Sequence, residues 1–200
     1  MKKIMFNDKY GLTDAVLQGR KTMTRRNIPT SKYVYINFKE IERGNNNCYY
    51  VNDGVADYRK AAYYKIGEVV AVSQRYADLN AQGLLLDDAK HTLANSAGWR
   101  NKQSVKANLM PHQILITNVR IERLQDISDE DCMKEGLYQG RIFGKDKYCY
   151  YFYDEKKGNE EQCVSYQPRG TYASLIDKIS GKDTWKSNPY VFVYEFELIK

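Results

Sequence analysis

The sequence lacks the patterns that mark metal sites, secretion signals and membrane spans. Its 200 residues include four cysteines without a Cys-x-x-Cys pair and only two histidines, His91 and His112, so a zinc site is not expected. The basic start after Met1 leads into an apolar run that ends at Asn7, too early for a signal peptide. No apolar stretch approaches the roughly 20 residues that span a membrane. We therefore expect a cytoplasmic protein with reduced thiols, no metal and no membrane partner.

Net positive charge is scarce beyond the first 26 residues. That segment holds seven Lys and Arg against two Asp, a net charge of +5 out of +6 for the chain. Its densest part is Gly19-Arg20-Lys21-Thr22-Met23-Thr24-Arg25-Arg26. Composition alone favours a solvated face for such a run. However, two threonines alternate with Met23 as on a strand with one polar face, and Lys21 lies near Thr24 in the chain. This interleaving favours a local site for an anion such as phosphate.

Tyrosine is abundant, with 18 residues against two Trp and six Phe. A flat ring with a polar tip suits half-buried sheet faces and base-stacking surfaces. The densest cluster lies at residues 148–153, where we predict a hairpin strand that packs on the body of the protein. A stacking platform, or an interaction surface for another protein, is the alternative for this cluster.

The first part of the chain predicts short elements. Residues 10–18 carry apolar positions at helical spacing and are followed by Gly19, which predicts a short helix with a left-handed cap. A strand is expected to start at Lys21, and residues 32–38 predict a second strand. The turn signal at residues 52–54 predicts a hairpin.

The middle of the chain alternates between strand patterns and irregular stretches. The continuous apolar run after Gly67 predicts a strand buried on both faces. Residues 76–112 show no sustained period, so we expect an excursion with short helical pieces. A long strand is predicted at 114–124, with a bulge or a change of burial between Ile116 and Val119 because the apolar face changes parity there.

The last part of the chain predicts two helices and a closing strand. Ser128 followed by three acids is a strong helix start, and Gly136 is expected to end that helix. Apolar residues at helical spacing predict an amphipathic helix at 172–179. Residues 191–198 alternate as a strand, with one apolar face made by Phe192, Tyr194, Phe196 and Leu198. Strands dominate and helices are short, so we predict an α+β fold built on a small mixed barrel.

The basic run and three later motifs resemble the ASCH domain, a member of the PUA-like superfamily. The run matches Gly-Arg-Lys-Thr-x-Thr-x-Arg at 19–26, and supporting motifs follow in order at 64–70, 122–136 and 185–196. The end of the chain resembles the longer bacterial and phage-associated members. Three stretches are expected to be insertions on this domain, at 40–62, 76–108 and 138–166.

The resemblance implies a PUA-like small β-barrel with peripheral short helices, occupying residues 1–200 as a single domain. It implies a cleft beside the Lys/Thr motif and a role with RNA or a modified nucleoside or nucleotide. The residues that would bind such a partner are Arg20, Lys21, Thr22, Thr24, Arg25 and Arg26. We expect Arg25 and Arg26 to hold a phosphate or a base carbonyl. The oligomeric state stays open.

Compact members of this family hydrolyse the acetyl amide of N4-acetylcytidine, and the resemblance implies neither metal nor cofactor. Their catalytic Lys, Thr and Glu match Lys21, Thr24 and Glu135. Thr24 can attack the amide if a neutral, desolvated Lys21 takes its proton, and Glu135 can position water or protonate the leaving nitrogen.

A binding role with a basic cleft at this run is the first hypothesis, and hydrolysis is its alternative. The same residues suit an RNA- or nucleoside-binding module, and Lys21 and Glu135 can also form an ion pair with a purely structural role. The chain departs from the longer relatives at Ser73-Gln74-Arg75, where those relatives often carry an acidic residue.

Overall fold

The computed structural model describes residues 1–28, 40–43, 48–52, 57–85, 87–141, 147–157 and 163–199, and for residues 40–61 the description is of the backbone. The strand predicted at 32–38 lies outside these residues. The ten strands of this part of the chain are β1 Lys2–Ile4, β2 Met23–Asn27, β3 Glu40–Arg43, β4 Cys48–Asn52, β5 Asp57–Ala61, β6 Val69–Val72, β7 Gln113–Arg123, β8 Tyr138–Arg141, β9 Tyr148–Tyr151 and β10 Tyr190–Leu198.

Short helices connect and flank these strands. They are α1 Leu12–Leu17, α2 Tyr76–Ala81, α3 Asp87–Ala94, α4 Asp129–Lys134, α5 Pro168–Ser180 and α6 Thr184–Ser187. Single 3₁₀ turns add to them, including one at Leu124–Asp126 directly before α4. The helices predicted at 10–18, after Ser128 and at 172–179 are therefore confirmed as α1, α4 and α5.

A five-stranded mixed sheet forms the centre, in the order β1-β6-β7-β10-β2. Only β1 and β6 run parallel within it. The mixed α/β class is thus confirmed, with strands and short helices as expected. In the described part of the chain β1 and β2 are the edges of this sheet, and no pairing between them closes a barrel. The closed PUA-like barrel remains a prediction.

The strand β10 is buried on both faces over most of its length. The side chains of Val191 and Val193 are as buried as those of Phe192 and Tyr194 on the opposite face. The prediction of one apolar face is wrong here, because core side chains pack against both faces of β10. Leu198, at the end of the strand, is exposed.

The bulge predicted in β7 is confirmed. Glu195 of β10 pairs with Asn118, whereas the next residue, Phe196, pairs with Ile116. Thr117 is therefore the extra residue of the bulge. Because of it, the apolar side chains on both sides of the bulge face the core, although their positions in the sequence change parity.

The peripheral segments form their own small units. The strands β3, β4 and β5 form a three-stranded antiparallel sheet, and the pairing of β4 with β5 confirms the predicted hairpin. The excursion after β6 packs a second apolar cluster under its short helices, made by Ala71, Tyr76, Leu79, Val105 and Met110. The tyrosine-rich cluster is a hairpin strand as predicted, since β9 pairs with β8. No helix in the described residues is long and apolar enough to cross a membrane.

One pair of cysteines contradicts the expectation of reduced thiols. Cys149 and Cys163 form a disulfide, with Cα atoms 5.5 Å apart, whereas Cys132 is buried and free. A bridge between Tyr150 and Ser165 brings the two chain segments together. Sequence spacing gives no sign of this contact, because it depends on how β9 meets the segment before α5.

Reducing this disulfide is predicted to destabilise the protein. The bond spans 14 positions in the sequence, and closing a loop of that size contributes about 3 kcal/mol by restricting the unfolded chain. Chemical denaturation with and without a thiol reductant measures the difference. The double variant Cys149→Ser, Cys163→Ser is the control, and its unfolding should not respond to reductant. An equal response in both proteins would contradict the assignment.

Candidate functional site

The turn after α1 fixes the backbone of Lys21. Gly19 adopts a left-handed φ of 71°, which ends the helix and reverses the chain. The backbone N–H of Lys21 then donates to the Ala15 carbonyl at 2.9 Å, and that of Thr22 donates to the Lys134 carbonyl at 3.0 Å. The second bond ties the start of β2 to the end of α4, where Glu135 follows.

Glu135 is presented at the C-terminal end of α4. The Ser128 hydroxyl accepts from the Asp131 N–H at 3.1 Å and caps the start of this helix. Gly136 ends it with a φ of 98°. A Cβ at Gly136 would lie 3.2 Å from the Ala15 Cβ and 3.3 Å from the Lys21 Cβ. Glycine is therefore needed both for the turn and for the close approach of the two segments.

Two cations hold the carboxylate of Glu135. Lys21 Nζ lies 2.5 Å from Oε2, and it also donates to the Glu135 backbone carbonyl at 2.9 Å. Arg25 Nη1 lies 3.0 Å from the other oxygen, Oε1. The three residues are almost fully buried, with Lys21 at 2% and Glu135 at 4% exposure. The structure thus brings together two of the three predicted catalytic residues.

Arg25 belongs to this internal ion network and is not available to a phosphate. Its Nη2 lies 2.5 Å from Glu122 Oε1 and 3.3 Å from Asp131 Oδ2. Arg120 binds the same two acids from the other side. The prediction that Arg25 holds a ligand phosphate or carbonyl is therefore wrong, because three carboxylates already occupy its donors.

Burial separates the proton affinities of the two cations. Burial lowers the pKa of Lys21, and Arg26 and Arg25 lower it further, whereas Glu135 opposes them. Burial also disfavours the charge of Arg25, but Glu135, Tyr172 and Glu122 outweigh it and raise its pKa above the ordinary value. Arg25 is thus the permanent counter-ion of Glu135, and burial favours the neutral form of Lys21.

A large cleft opens over this buried cluster. It has a volume of about 1180 Å³ and is lined by Lys21, Thr24, Arg25, Arg26 and Glu135, among others. A cleft of this size accommodates a nucleoside.

Thr24 lies on the opposite side of β2 from Arg25, because neighbouring residues of a strand alternate. It is 5% exposed and lines the same cleft. No hydrogen bond joins its hydroxyl to Lys21 or Glu135 in the described structure. The predicted triad therefore shares one cleft but is not in mutual contact.

The remaining predicted binding residues have separate environments. The Arg20 guanidinium stacks 3.9 Å from the ring centre of Tyr138 and donates to its hydroxyl at 2.6 Å. Arg26 is exposed and donates to the Met5 carbonyl at 2.6 Å. Thr22 is half-buried and holds the backbone contact to α4. Of the six residues, Lys21, Thr24, Arg25 and Arg26 line the cleft.

Sequence reasoning missed several residues that line the cleft. Phe6 lies with its ring centre 5.9 Å from Lys21 Nζ and 5.7 Å from the centre of the Arg26 guanidinium. Tyr172, on the buried face of α5, lies 6.0 Å from Arg25. Gln74 lines the far wall. The helical period identified Tyr172 as a core position, but nothing in the sequence linked it, Phe6 or Gln74 to this site.

Comparisons with known proteins leave the family of the chain as a prediction. No family model, no curated protein and no solved structure matches it. Among the residues that the structure describes, no group of three or more His, Cys, Asp or Glu is arranged to hold a metal ion.

Loss of Arg25 is predicted to destabilise the protein severely. Arg25→Met keeps most of the volume but leaves buried carboxylates without their cation, which costs about 3–5 kcal/mol. Arg75 is a matched control, since it also pairs with an acid, Asp78, at 2.8 Å but is 46% exposed. Arg75→Met should cost about 0–1 kcal/mol. Urea denaturation of both variants measures these losses, and similar values for the two would contradict a buried network.

Proposed function

We propose that the chain binds a modified nucleoside in this cleft and hydrolyses an acyl amide on its base, as in N4-acetylcytidine. The observation that carries the proposal is the position of Lys21. A lysine with a lowered pKa lies against a carboxylate at the floor of a cleft, and the Thr24 hydroxyl lines the same cleft. Amide hydrolysis needs a base, a nucleophile and a proton donor, and these three residues supply them.

The reaction proceeds through Thr24 as nucleophile. Its oxygen bonds to the acyl carbon while its proton passes to neutral Lys21. The tetrahedral intermediate then expels the exocyclic amine, which takes a proton from the Lys21 ammonium. Glu135 holds Lys21 in place and orients the water that hydrolyses the Thr24 ester and releases the acid. Arg25 remains paired with the Glu135 carboxylate throughout.

The charge of the cleft favours an uncharged ligand. Its lining residues include six cations (Lys9, Lys21, Arg25, Arg26, Arg75 and Lys102) against five acids (Asp8, Asp14, Asp78, Glu135 and Glu155), a formal balance of +1. The basic run therefore does not produce a basic cleft. A polynucleotide is bound chiefly through neutralised phosphates, whereas a free nucleoside needs no such field.

We also propose that the chain has the PUA-like barrel fold of the ASCH domain. The order of the motifs along the central sheet supports it. Lys21 lies two residues before β2, and the motif at 64–70 leads into β6. The motif at 185–196 contains most of β10.

An RNA-binding module is the second candidate. In the described part of the chain, Arg26 at the cleft and Arg20 beside Tyr138 are the two cations of the basic run without a carboxylate partner. They would contact phosphates of a strand whose terminal or unpaired base enters the cleft.

The decisive assay is release of cytidine and acetate from N4-acetylcytidine. Thr24→Val and Glu135→Gln keep size and shape, and each should lower kcat by about 10²–10⁴. Arg75→Gln is the comparison variant, because Arg75 lines the cleft but is paired with Asp78, and it should retain turnover.

Binding of RNA without hydrolysis would favour the second candidate instead. In that case affinity should fall steeply with salt, and Arg26→Gln should reduce the slope. Absence of both turnover and binding would overturn the proposal.

A further inference from the structure

Gln74 occupies a wall of the cleft that the proposed reaction does not use. Ile4 of β1 pairs with Val72 of β6, and Phe6 and Gln74 follow these residues by two positions at the same edge of the sheet. Gln74 is 4% exposed and lines the cleft. Its backbone N–H is held by the Met110 sulfur at 3.3 Å. A long polar side chain is thus fixed in a buried position beside the ligand space.

His112 sets the orientation of the Gln74 amide. Its Nδ1 lies 2.6 Å from Gln74 Oε1, and its backbone carbonyl accepts from the Val72 N–H at 2.9 Å. A ring N–H that donates to Oε1 leaves the NH₂ group of Gln74 pointing away from the histidine. With Nδ1 protonated, the ring holds the Gln74 amide in this orientation.

Gln74 lines the cleft, and its NH₂ group is the end of the amide that His112 does not hold. In the described structure this NH₂ group has no hydrogen-bond partner. It is not sealed from solvent either, because the described side-chain polar atom that is both sealed and unpaired is Ser73 Oγ. Nearby charged groups are already engaged, since Lys102 binds Asp8 at 2.7 Å and Arg75 binds Asp78. Gln74 therefore supplies an oriented, neutral donor on this wall. Buried donors of this kind are normally hydrogen-bonded in native structures, either to the protein or to a bound molecule.

We infer that Gln74 is a specificity-determining residue that donates a hydrogen bond to a ring carbonyl of the ligand. The inference rests on the proposed nucleoside site. With the acylated amine of a pyrimidine at Lys21 and Thr24, the ring carbonyl at C2 is the acceptor that remains on the opposite part of the ring. Gln74 then reads this carbonyl, which cytidine and uridine share, and His112 acts as its positioning residue.

The test is calorimetric binding of cytidine, N4-acetylcytidine and the 2-thio analogue of cytidine. Sulfur at C2 is a poor acceptor, so wild-type protein should bind 2-thiocytidine about 10-fold or more weakly than cytidine, as expected when a buried donor loses its partner. Gln74→Met should bind the two equally. A purely structural role for Gln74 would not change this ratio.

A charge control separates hydrogen bonding from electrostatics. Gln74→Glu replaces the donor by an acceptor and should weaken cytidine binding about 10-fold or more. Gln82 is exposed and lines the same cleft, and Gln82→Glu, which adds the same charge, should change affinity by less than about 3-fold.

The outcomes are distinct. Cytidine binding with the predicted ratio but without hydrolysis of N4-acetylcytidine supports the role of Gln74 and removes only the hydrolase. Equal binding of cytidine and 2-thiocytidine by the wild type, or an unchanged ratio in Gln74→Met, overturns the inference. Failure to bind any of the three nucleosides overturns it as well.

Discussion

The buried carboxylate of Glu135, held between Lys21 and Arg25, is the interaction on which the site depends. A charge removed from water is tolerated only when it is paired and hydrogen-bonded. Glu135 meets this condition because the hydrogen bond from the Thr22 N–H to the Lys134 carbonyl ties the start of β2 to the end of α4, with a glycine at the point of closest approach. A change that separates these segments would leave buried charges unpaired and would remove the site with them.

The same network changes the meaning of the basic run. Four cations in eight residues suggest an exposed anion site, but the fold assigns them different tasks. Lys21 and Arg25 turn inward to acids, Arg20 stacks on Tyr138, and Arg26 alone stays exposed at the cleft. Two cations of the run, Lys21 and Arg25, thus hold the Glu135 carboxylate. The net charge of the residues that line the cleft is close to zero.

Local signals predicted the elements well, whereas long-range pairing was not predictable. The Ser128 cap, the Gly19 turn and the parity change in β7 are encoded within a few residues, and the structure confirms each of them. The ion partners of Arg25, the Cys149–Cys163 disulfide and the contact of Gln74 with His112 join segments 14 to 110 residues apart. Such contacts depend on sheet order, which periodicity does not specify. Lys21 and Glu135 were identified through family resemblance, and their contact through the structure.

The most direct test of the account is the pKa of Lys21, measured by NMR on protein with ¹³C-labelled lysine side chains and assigned with Lys21→Met. We predict a value below the ordinary 10.5, because burial outweighs the attraction of Glu135. Since Glu135 raises this pKa, Glu135→Gln should lower it further. A Lys21 pKa at or above 10.5 would contradict the central claim, because the lysine would then stay protonated as a purely structural ion-pair partner.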